Sequence, residues 1–277
     1  MRRDYQRIII VLLCIFIIFF QGCIELKSFD SSNQTNDSQQ TDQTPPSTVS
    51  IACWNLQIFG QTKAANDALL SYYAETLDDY DIFIIQEIRD KEGTAIETLA
   101  NKLSNYSYII SQRAGQTSSK EQYAIFYLPS ITLVSTHDYT IEYESEMQRP
   151  PYQASFQVNN WTVTLFTIHC DPDDVDHELS IVEQIIGQPT TDTILIGDLN
   201  ADGSYYDEEH KQHFTDWTWV ITDSFDTTVA SSNNTYDRII VNEEALDNFY
   251  QVGIMDEVTS EQSDHYLIYA VFDTQHT

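Results

Sequence analysis

Five apolar runs between Ile51 and Phe272 each begin or end on a side chain able to hold a metal ion or a phosphate. They read IACWNLQIFG from Ile51, DIFIIQEIRD from Asp81, LFTIHCDPDD from Leu165, ILIGDLNAD from Ile194 and SDHYLIYAVF from Ser263. A short apolar run bounded by polar residues reads as a strand, and its polar residue lands where strand meets loop. Asn55, Glu87, His169, Asp198, Asn200, Asp264 and His265 are thereby expected at strand ends facing one cleft. One such coincidence means little, but five in one chain point to metal-assisted phosphate ester chemistry.

Composition bounds the rest. The 277 residues allow one large domain or two small ones, and 17 Tyr with 13 Phe favour a sheet-rich fold. Against 43 Asp and Glu stand 13 Lys and Arg, a formal net charge of -30. Taken alone, that charge argues against a polyanionic partner and fits a solvated acidic surface suited to a salty environment.

Residues 1–23 read as an export signal: Arg2, Arg3 and Arg7 precede the apolar stretch Ile8 to Phe20. That stretch is short for a membrane span and right for a signal h-region. Cys23 directly after it resembles the lipobox of prokaryotic lipoproteins. Gly22 fits the pattern, while Phe20 and Gln21 depart from it. Lipidation at Cys23, a membrane anchor and an extracellular, cell-surface location are the expectations. Residues 24–48 are polar, contain Pro45-Pro46 and read as a disordered linker, leaving 49–277 as the folded domain. Cys53 and Cys170 are read as small buried hydrophobes, although the sequence leaves a bridge between them open.

Apolar spacing predicts a helix over Lys63 to Asp79 and another over Thr94 to Leu103, flanking a strand at Asp81 to Gln86. From Tyr106 to Val158 strands and turns dominate, and WTVTLFTIH, TILIGD, YDRIIV and HYLIYAVF are further strands. Helices are expected near Asp174 to Ile186 and near Tyr205 to Trp219. This order predicts an α/β fold, two packed sheets with helices outside.

Phosphodiester hydrolysis calls for a cation, an activated water and a proton donor for the leaving oxygen. Glu87, Asn55, Asp264, Asp198 and Asn200 offer the oxygens that hard cations such as Mg2+ prefer. His169 and His265 suit general acid and base roles, with Glu121 and Asp237 as candidate orienting carboxylates. Bland readings exist for each residue alone. Asn55 and the GDLNAD stretch can be simple turns, and Asp264-His265 can cap a strand. Glu87 resists this, because a carboxylate closing the run IFIIQ lies near a low-dielectric interior.

These segments resemble the endonuclease/exonuclease/phosphatase superfamily, and within it the deoxyribonuclease I family. NLQIFGQTK from Asn55, QEIRD from Gln86 and DSFDTTVASSNNTYDRIIV from Asp223 carry the closer likeness. The resemblance implies a four-layered α-β-β-α sandwich, two mixed or antiparallel sheets flanked by helices. It implies Glu87 as principal metal ligand assisted by Asn55 and Asp264, with Asp198 and Asn200 at the scissile phosphate and a second metal position. His169 with Glu121, and His265 with Asp237, match the catalytic pairs. Arg89 and Arg149 match DNA-contacting residues, and Lys120 and Ser119 lie in the groove-contacting segment. The implied reaction is Mg2+- or Mn2+-dependent endonucleolytic cleavage of double-stranded DNA to 5'-phosphate ends, by an expected monomer.

Departures are specific. The family's groove-contacting Tyr is Ser119 here. The cysteines of its main disulfide correspond to Gly203 and Asn234, and the loop of its second disulfide is shortened around Tyr143 to Arg149. Asp226 and Thr228 match part of a structural calcium site, from which Ala230 departs. Arg89, Arg113, Lys120, Arg149 and Arg238 lie in or beside the site segments, suited to phosphate contact, with internal ion pairs as the alternative for Arg113 and Arg238. The rival readings are a phosphodiesterase or phosphatase acting on lipid or small phosphate esters, and a cation-binding surface adhesin without catalysis.

Overall fold

The computed structural model describes residues 48–207 and 211–275. The expected signal, Cys23 and nearly all of the expected linker lie outside them.

Two six-stranded sheets form the centre. The first contains β1 (Thr48–Phe59), β2 (Ile82–Ile88), β3 (Ser107–Ile110), β4 (Ala124–Tyr127), β11 (Phe249–Met255) and β12 (Leu267–Asp273), in the order β11-β12-β1-β2-β4-β3. The second contains β5 (Thr132–Asp138), β6 (Tyr152–Val158), β7 (Trp161–Thr167), β8 (Thr193–Asp198), β9 (Thr218–Trp219) and β10 (Asp237–Val241), in the order β5-β6-β7-β8-β10-β9. The β1–β2 and β7–β8 pairs are parallel, and a parallel pair needs a crossover. Helices supply it: α1 (Gln61–Ala64) and α2 (Asp67–Leu77) after β1, and α5 (Val175–Ile186) after β7. With α3 (Thr94–Lys102) beside α1 and α2, this is the expected four-layered sandwich. Two short helices, α4 (Thr140–Tyr143) and α6 (Glu243–Asp247), complete it.

Strand alternation divides the apolar residues among three cores. Ile51 and Cys53 of β1, Ile82 and Ile84 of β2, and Ile194 and Ile196 of β8 face the space between the sheets. Their neighbours Ala52, Trp54, Phe83 and Ile85 turn to α1–α3, and Leu195 turns to α5. Both faces are covered, which is why these strands read as unbroken apolar runs. Cys53 and Cys170 are buried free thiols, so no bridge joins them.

Three expectations need correction. The single helix over Lys63 to Asp79 is two, because the Asn66 side chain accepts a hydrogen bond from Leu69 N at 3.2 Å and caps a new start. No helix forms among the described residues from Tyr205 to Trp219. Phe214 there has φ +52 and donates its amide to Glu183 Oε1 at 2.8 Å, while Tyr206, Phe214 and Trp219 pack against the α5 layer from separate turns. The final strand begins at Leu267, and His265 instead makes an isolated bridge with Thr228.

Candidate active site

On an inward-facing ladder, period-two alternation places the next inward side chain two residues beyond the last apolar one. After Ile51 and Cys53 comes Asn55; after Ile82 and Ile84, Gln86; after Val163 and Leu165, Thr167; after Ile194 and Ile196, Asp198. Read backwards, β10 goes from Val241 and Ile239 to Asp237, and β4 goes from Ile125 through Tyr123 to Glu121. The apolar members belong to the inter-sheet core and all six polar residues are buried. The site is therefore the polar end of the core between the sheets. Buried polar groups must pair, and here they pair across the two sheets.

Gln86 is the cross-link between the sheets. Its Nε2 donates to Thr167 Oγ1 at 3.1 Å and to Ile168 O at 2.8 Å, while its Oε1 accepts from Asp198 N at 2.9 Å. Sequence reasoning misses Gln86, although its parity with Ile84 is an available signal. Gly197 permits the approach. It has φ +157, and a Cβ there would stand 2.1 Å from Ile168 O and 2.5 Å from Gln86 Nε2.

Two histidine–carboxylate pairs converge on Asp198. His169 Nδ1 lies 3.0 Å from Glu121 Oε2 and its Nε2 lies 3.4 Å from Asp198 Oδ2. His265 Nδ1 lies 2.7 Å from Asp237 Oδ2 and its Nε2 lies 3.5 Å from the same Asp198 oxygen. Burial alone would lower the His265 pKa, but Asp237 and Asp198 outweigh it and push the imidazole up to about 10. Burial would likewise raise Asp198, yet His265, His169 and the Asn55 amide hold it below the usual carboxylate range. Glu121 sits low against its own burial because His169, Arg149 and Arg89 surround it.

Asn55 turns its Nδ2 to Asp198 Oδ2 at 3.0 Å and to Glu87 Oε1 at 3.3 Å, and its oxygen accepts Gln57 N at 2.9 Å. In this arrangement Asn55 gathers the carboxylates rather than presenting an oxygen to a cation. Glu87 also accepts Ile58 N at 2.8 Å and approaches Arg89 Nη2 at 3.1 Å. Asp264, with its side chain half exposed, accepts from Gln57 Nε2 at 2.9 Å and stands 3.9 Å from His265 Nε2. Asn200 donates to Cys170 O at 2.9 Å. Gln57, Ile58, Glu87 and Asn200 all have positive φ, so backbone strain gathers at this cleft.

Two groups of donors have the chemistry of a cation site: Glu87, Glu121 and His169, and Asp198, Asp237 and His265, each with ligand atoms within 4.8 Å of one another. Asp237 Oδ1 is buried without a hydrogen-bond partner, an acceptor still to be satisfied. Hard oxygens dominate both groups, which fits a small divalent cation.

The expected DNA-contacting residues separate. Arg149 is largely buried and donates through Nε to His169 O and through Nη2 to Cys170 O, both at 2.8 Å. Arg89 reaches Glu121 Oε1 at 2.7 Å with part of its side chain still open. Ser119 and Lys120 are exposed. Arg238 is fully buried and pairs with Asp223 at 2.7 Å, so it has the internal role.

The tract after Asp223 braces His265 from behind. Thr228 bridges His265, Tyr266 N donates to Thr227 O at 2.8 Å, Val229 N donates to Asp264 O at 2.8 Å, and Asp237 N donates to Thr227 Oγ1 at 3.1 Å. Asp226 Oδ1 accepts Thr228 N, Thr228 Oγ1 and Asn234 N, closing the turn. Asn234 Oδ1 lies 2.9 Å from where a Gly203 Cβ would stand, so these two positions face one another without a disulfide.

Residues 52–265 match the model of the Endonuclease/Exonuclease/phosphatase family. The chain belongs to this family. Its curated relatives include Deoxyribonuclease-1 of Bos taurus, 32% identical over 216 residues, covering 70% of this chain and 77% of that protein. Deoxyribonuclease-1 of Homo sapiens is 31% identical over 253 residues, covering 79% and 90%. Among solved structures, an endonuclease/exonuclease/phosphatase family protein from Bacteroides thetaiotaomicron shares the fold at TM-score 0.62 and 18% identity, covering 83% of this chain and all of that one. A mannosyl-6-phosphatase from the same organism shares it at TM-score 0.60 and 16% identity, covering 80% and 98%. Membership makes the protein a deoxyribonuclease I-like phosphodiester hydrolase of a divalent-metal-dependent family.

Proposed function

We propose that this protein is an exported endonuclease that cleaves double-stranded DNA to 5'-phosphate ends with the help of Mg2+ or Mn2+. The observation that carries the reading is the pair of buried histidines, each held by its own carboxylate and both turned to Asp198. An identity of 31% with human Deoxyribonuclease-1 across 253 residues supports DNA as the substrate class.

Glu87, Asp264, Asp198 and Asn200 are the residues that would hold the cation and the phosphate. A divalent cation bound there offsets the charge that grows on the phosphate oxygens. Glu121 and Asp237 fix the ring orientation of His169 and His265, leaving both Nε2 atoms at the reaction space. One histidine takes the proton of the attacking water and the other returns a proton to the leaving oxygen. Gln86 and Arg149 hold the backbone that carries Asp198 and His169, so the pair keeps its spacing.

The test is nicking of supercoiled plasmid in Mg2+, Mn2+, Ca2+ or EDTA, with His169→Ala alongside. Metal-dependent nicking that vanishes in the variant supports the reading, and no nicking in any metal overturns it. A second reading, hydrolysis of lipid or small phosphate esters, draws on Ser119, which leaves the groove-contacting segment without an aromatic ring, and on the net charge of -30. It predicts turnover of such esters by a chain inert to plasmid.

Export and anchoring rest on the pattern from Arg2 to Cys23. Cys23→Ala should move the protein from the membrane fraction to the medium, and unchanged partitioning would remove lipidation at this residue. A structural Ca2+ is proposed beside Asp226 and Thr228, in the turn that braces His265. Thermal stability that does not respond to calcium chelation would count against it.

A further inference from the structure

A cavity of about 350 Å3 opens between the loop Arg113 to Lys120 and the segment Thr140 to Pro150. Arg113 and Lys120 line one wall, and Thr140, Glu144 and Gln148 line the other. We propose that this cavity is an anion subsite taking a phosphate of the substrate other than the one being hydrolysed. The inference deepens the DNA reading and rests on it for the identity of the strand that supplies the phosphate.

The charge distribution singles the cavity out. Among the described residues, Arg89 pairs with Glu87 and Glu121, Lys102 pairs with Asp67, and Lys211 and Arg238 both pair with Asp223. Lys63 and Arg149 each donate to two backbone carbonyls. Among the described cations only Lys91, Arg113 and Lys120 have no such commitment, and two of these three line one cavity. In a chain of net charge -30, two cations without a carboxylate partner lining one cavity favour an anion there.

Arg113 is also set in place for such an anion. Its Nη2 donates to Lys120 O at 2.7 Å, which fixes the guanidinium plane. Its Nη1 is buried with no hydrogen-bond partner. A buried charged donor left unsatisfied is costly, and a phosphate oxygen is the acceptor that a guanidinium fork matches best. Gln116 N donates to Gln148 Oε1 at 2.5 Å and ties the two walls together. Glu144 is exposed, so its carboxylate is free to turn to water.

The cavity adjoins both supports of His169. Ala114 and Glu121 exchange backbone hydrogen bonds at 2.9 and 2.8 Å, and Glu121 orients the His169 ring. Gln148 precedes Arg149, which holds the His169 carbonyl. The proposed subsite thus shares the loop Arg113 to Glu121 and the segment ending at Arg149 with the supports of His169.

The test uses the full chain carrying His169→Ala, so that DNA binds without being cut, in two arms. In the first, anisotropy of a fluorescent duplex gives Kd across a KCl series for this parent, for Arg113→Gln and for Gln148→Glu. Gln148→Glu keeps the acceptor for Gln116 N and adds a negative charge to the cavity, so it reports on charge with the loop tie intact. Both variants should make the slope of log K against log salt shallower by about 0.9, one phosphate contact. In the second arm, inorganic phosphate is titrated while the Gly115 and Gln116 amides are followed by NMR. Saturable shifts in the parent, lost in both variants, are expected. Slopes equal to the parent's together with unmoved amides would overturn the subsite while leaving DNA binding in place. Amide shifts in a parent that binds no duplex at any salt would keep the subsite and overturn the DNA reading instead.

Discussion

His169 and His265 come from different sheets' edges of the cleft, yet their Nε2 atoms lie 3.4 and 3.5 Å from one oxygen, Asp198 Oδ2. A single carboxylate thus faces both imidazoles, the groups proposed above to move protons. Asp198→Asn removes the charge that both rings face. Plasmid cleavage should fall by about 10²–10⁴-fold, the worth of positioned acid–base catalysis, with the circular dichroism spectrum unchanged. A variant within tenfold of the parent would show that the histidines work without this carboxylate.

Arg149 is expected to act on stability more than on DNA affinity. Its guanidinium is bound to His169 O and Cys170 O and lies 3.7 Å from the buried Glu121. Arg149→Met leaves those two carbonyls without their donor, while Glu121 keeps Arg89 at 2.7 Å, and should lower stability by about 1–3 kcal/mol in urea unfolding. The salt dependence of duplex binding should stay as in the parent. A shallower salt slope with unchanged stability would return Arg149 to the role of a phosphate contact.

Gly197→Ala tests the close approach of the two sheets at Gln86. The added methyl would stand 2.1 Å from Ile168 O, and the backbone there has φ +157. Overpacking of this kind should destabilise by about 3 kcal/mol or more. A melting temperature within a degree or two of the parent would mean that the strands separate freely at this point.

Acid should weaken the start of α3 through Asp90. Burial would raise this carboxyl, but hydrogen bonds from Ala95 N, Thr94 Oγ1, Glu92 N and Gln61 Nε2 outweigh it and hold it below its ordinary value. A folded-state pKa below the unfolded one gives stability that is full above the unfolded value, near 4, and is lost as pH falls through the folded value. Asp90→Asn should therefore cost about 1 kcal/mol at neutral pH, with the difference from the parent shrinking as pH falls below the unfolded value near 4. A difference constant across that range would sink the assignment.

Cleavage should tolerate or favour moderate salt. Screening at 0.1 M cuts long-range repulsion between DNA and a chain of net charge -30, while close contacts inside the cleft are screened less. A steep, monotonic fall in rate from about 10 mM upward would contradict this.

Several of these residues are legible in the sequence alone. Asn55, Glu87, His169, Asp198 and His265 stand at the ends of apolar runs, and hydrophobic pattern by itself fixes where such runs stop. Glu121 and Asp237 are candidate orienting carboxylates in the sequence, and the family resemblance matches each to its histidine. Gln86 stays hidden because its role lies in contacts with Thr167, Ile168 and Asp198, all more than 80 residues away. The missing helix after Tyr205 has the same cause, since aromatic residues packing from separate turns resemble a helical face in one dimension.

By itself the sequence determined the layers: local alternation of side chains decides which residues are apolar on both faces, and such strands must be covered on both sides. Only the tertiary structure decided which polar ends pair and what each cation does. Arg149 and Arg89 look alike as residues near a site, yet one is bound to the carbonyls behind His169 and the other lies partly open between Glu87 and Glu121. Charge and hydrogen-bonding capacity are properties of a residue, whereas whether they are already satisfied depends on neighbours that only folding brings together.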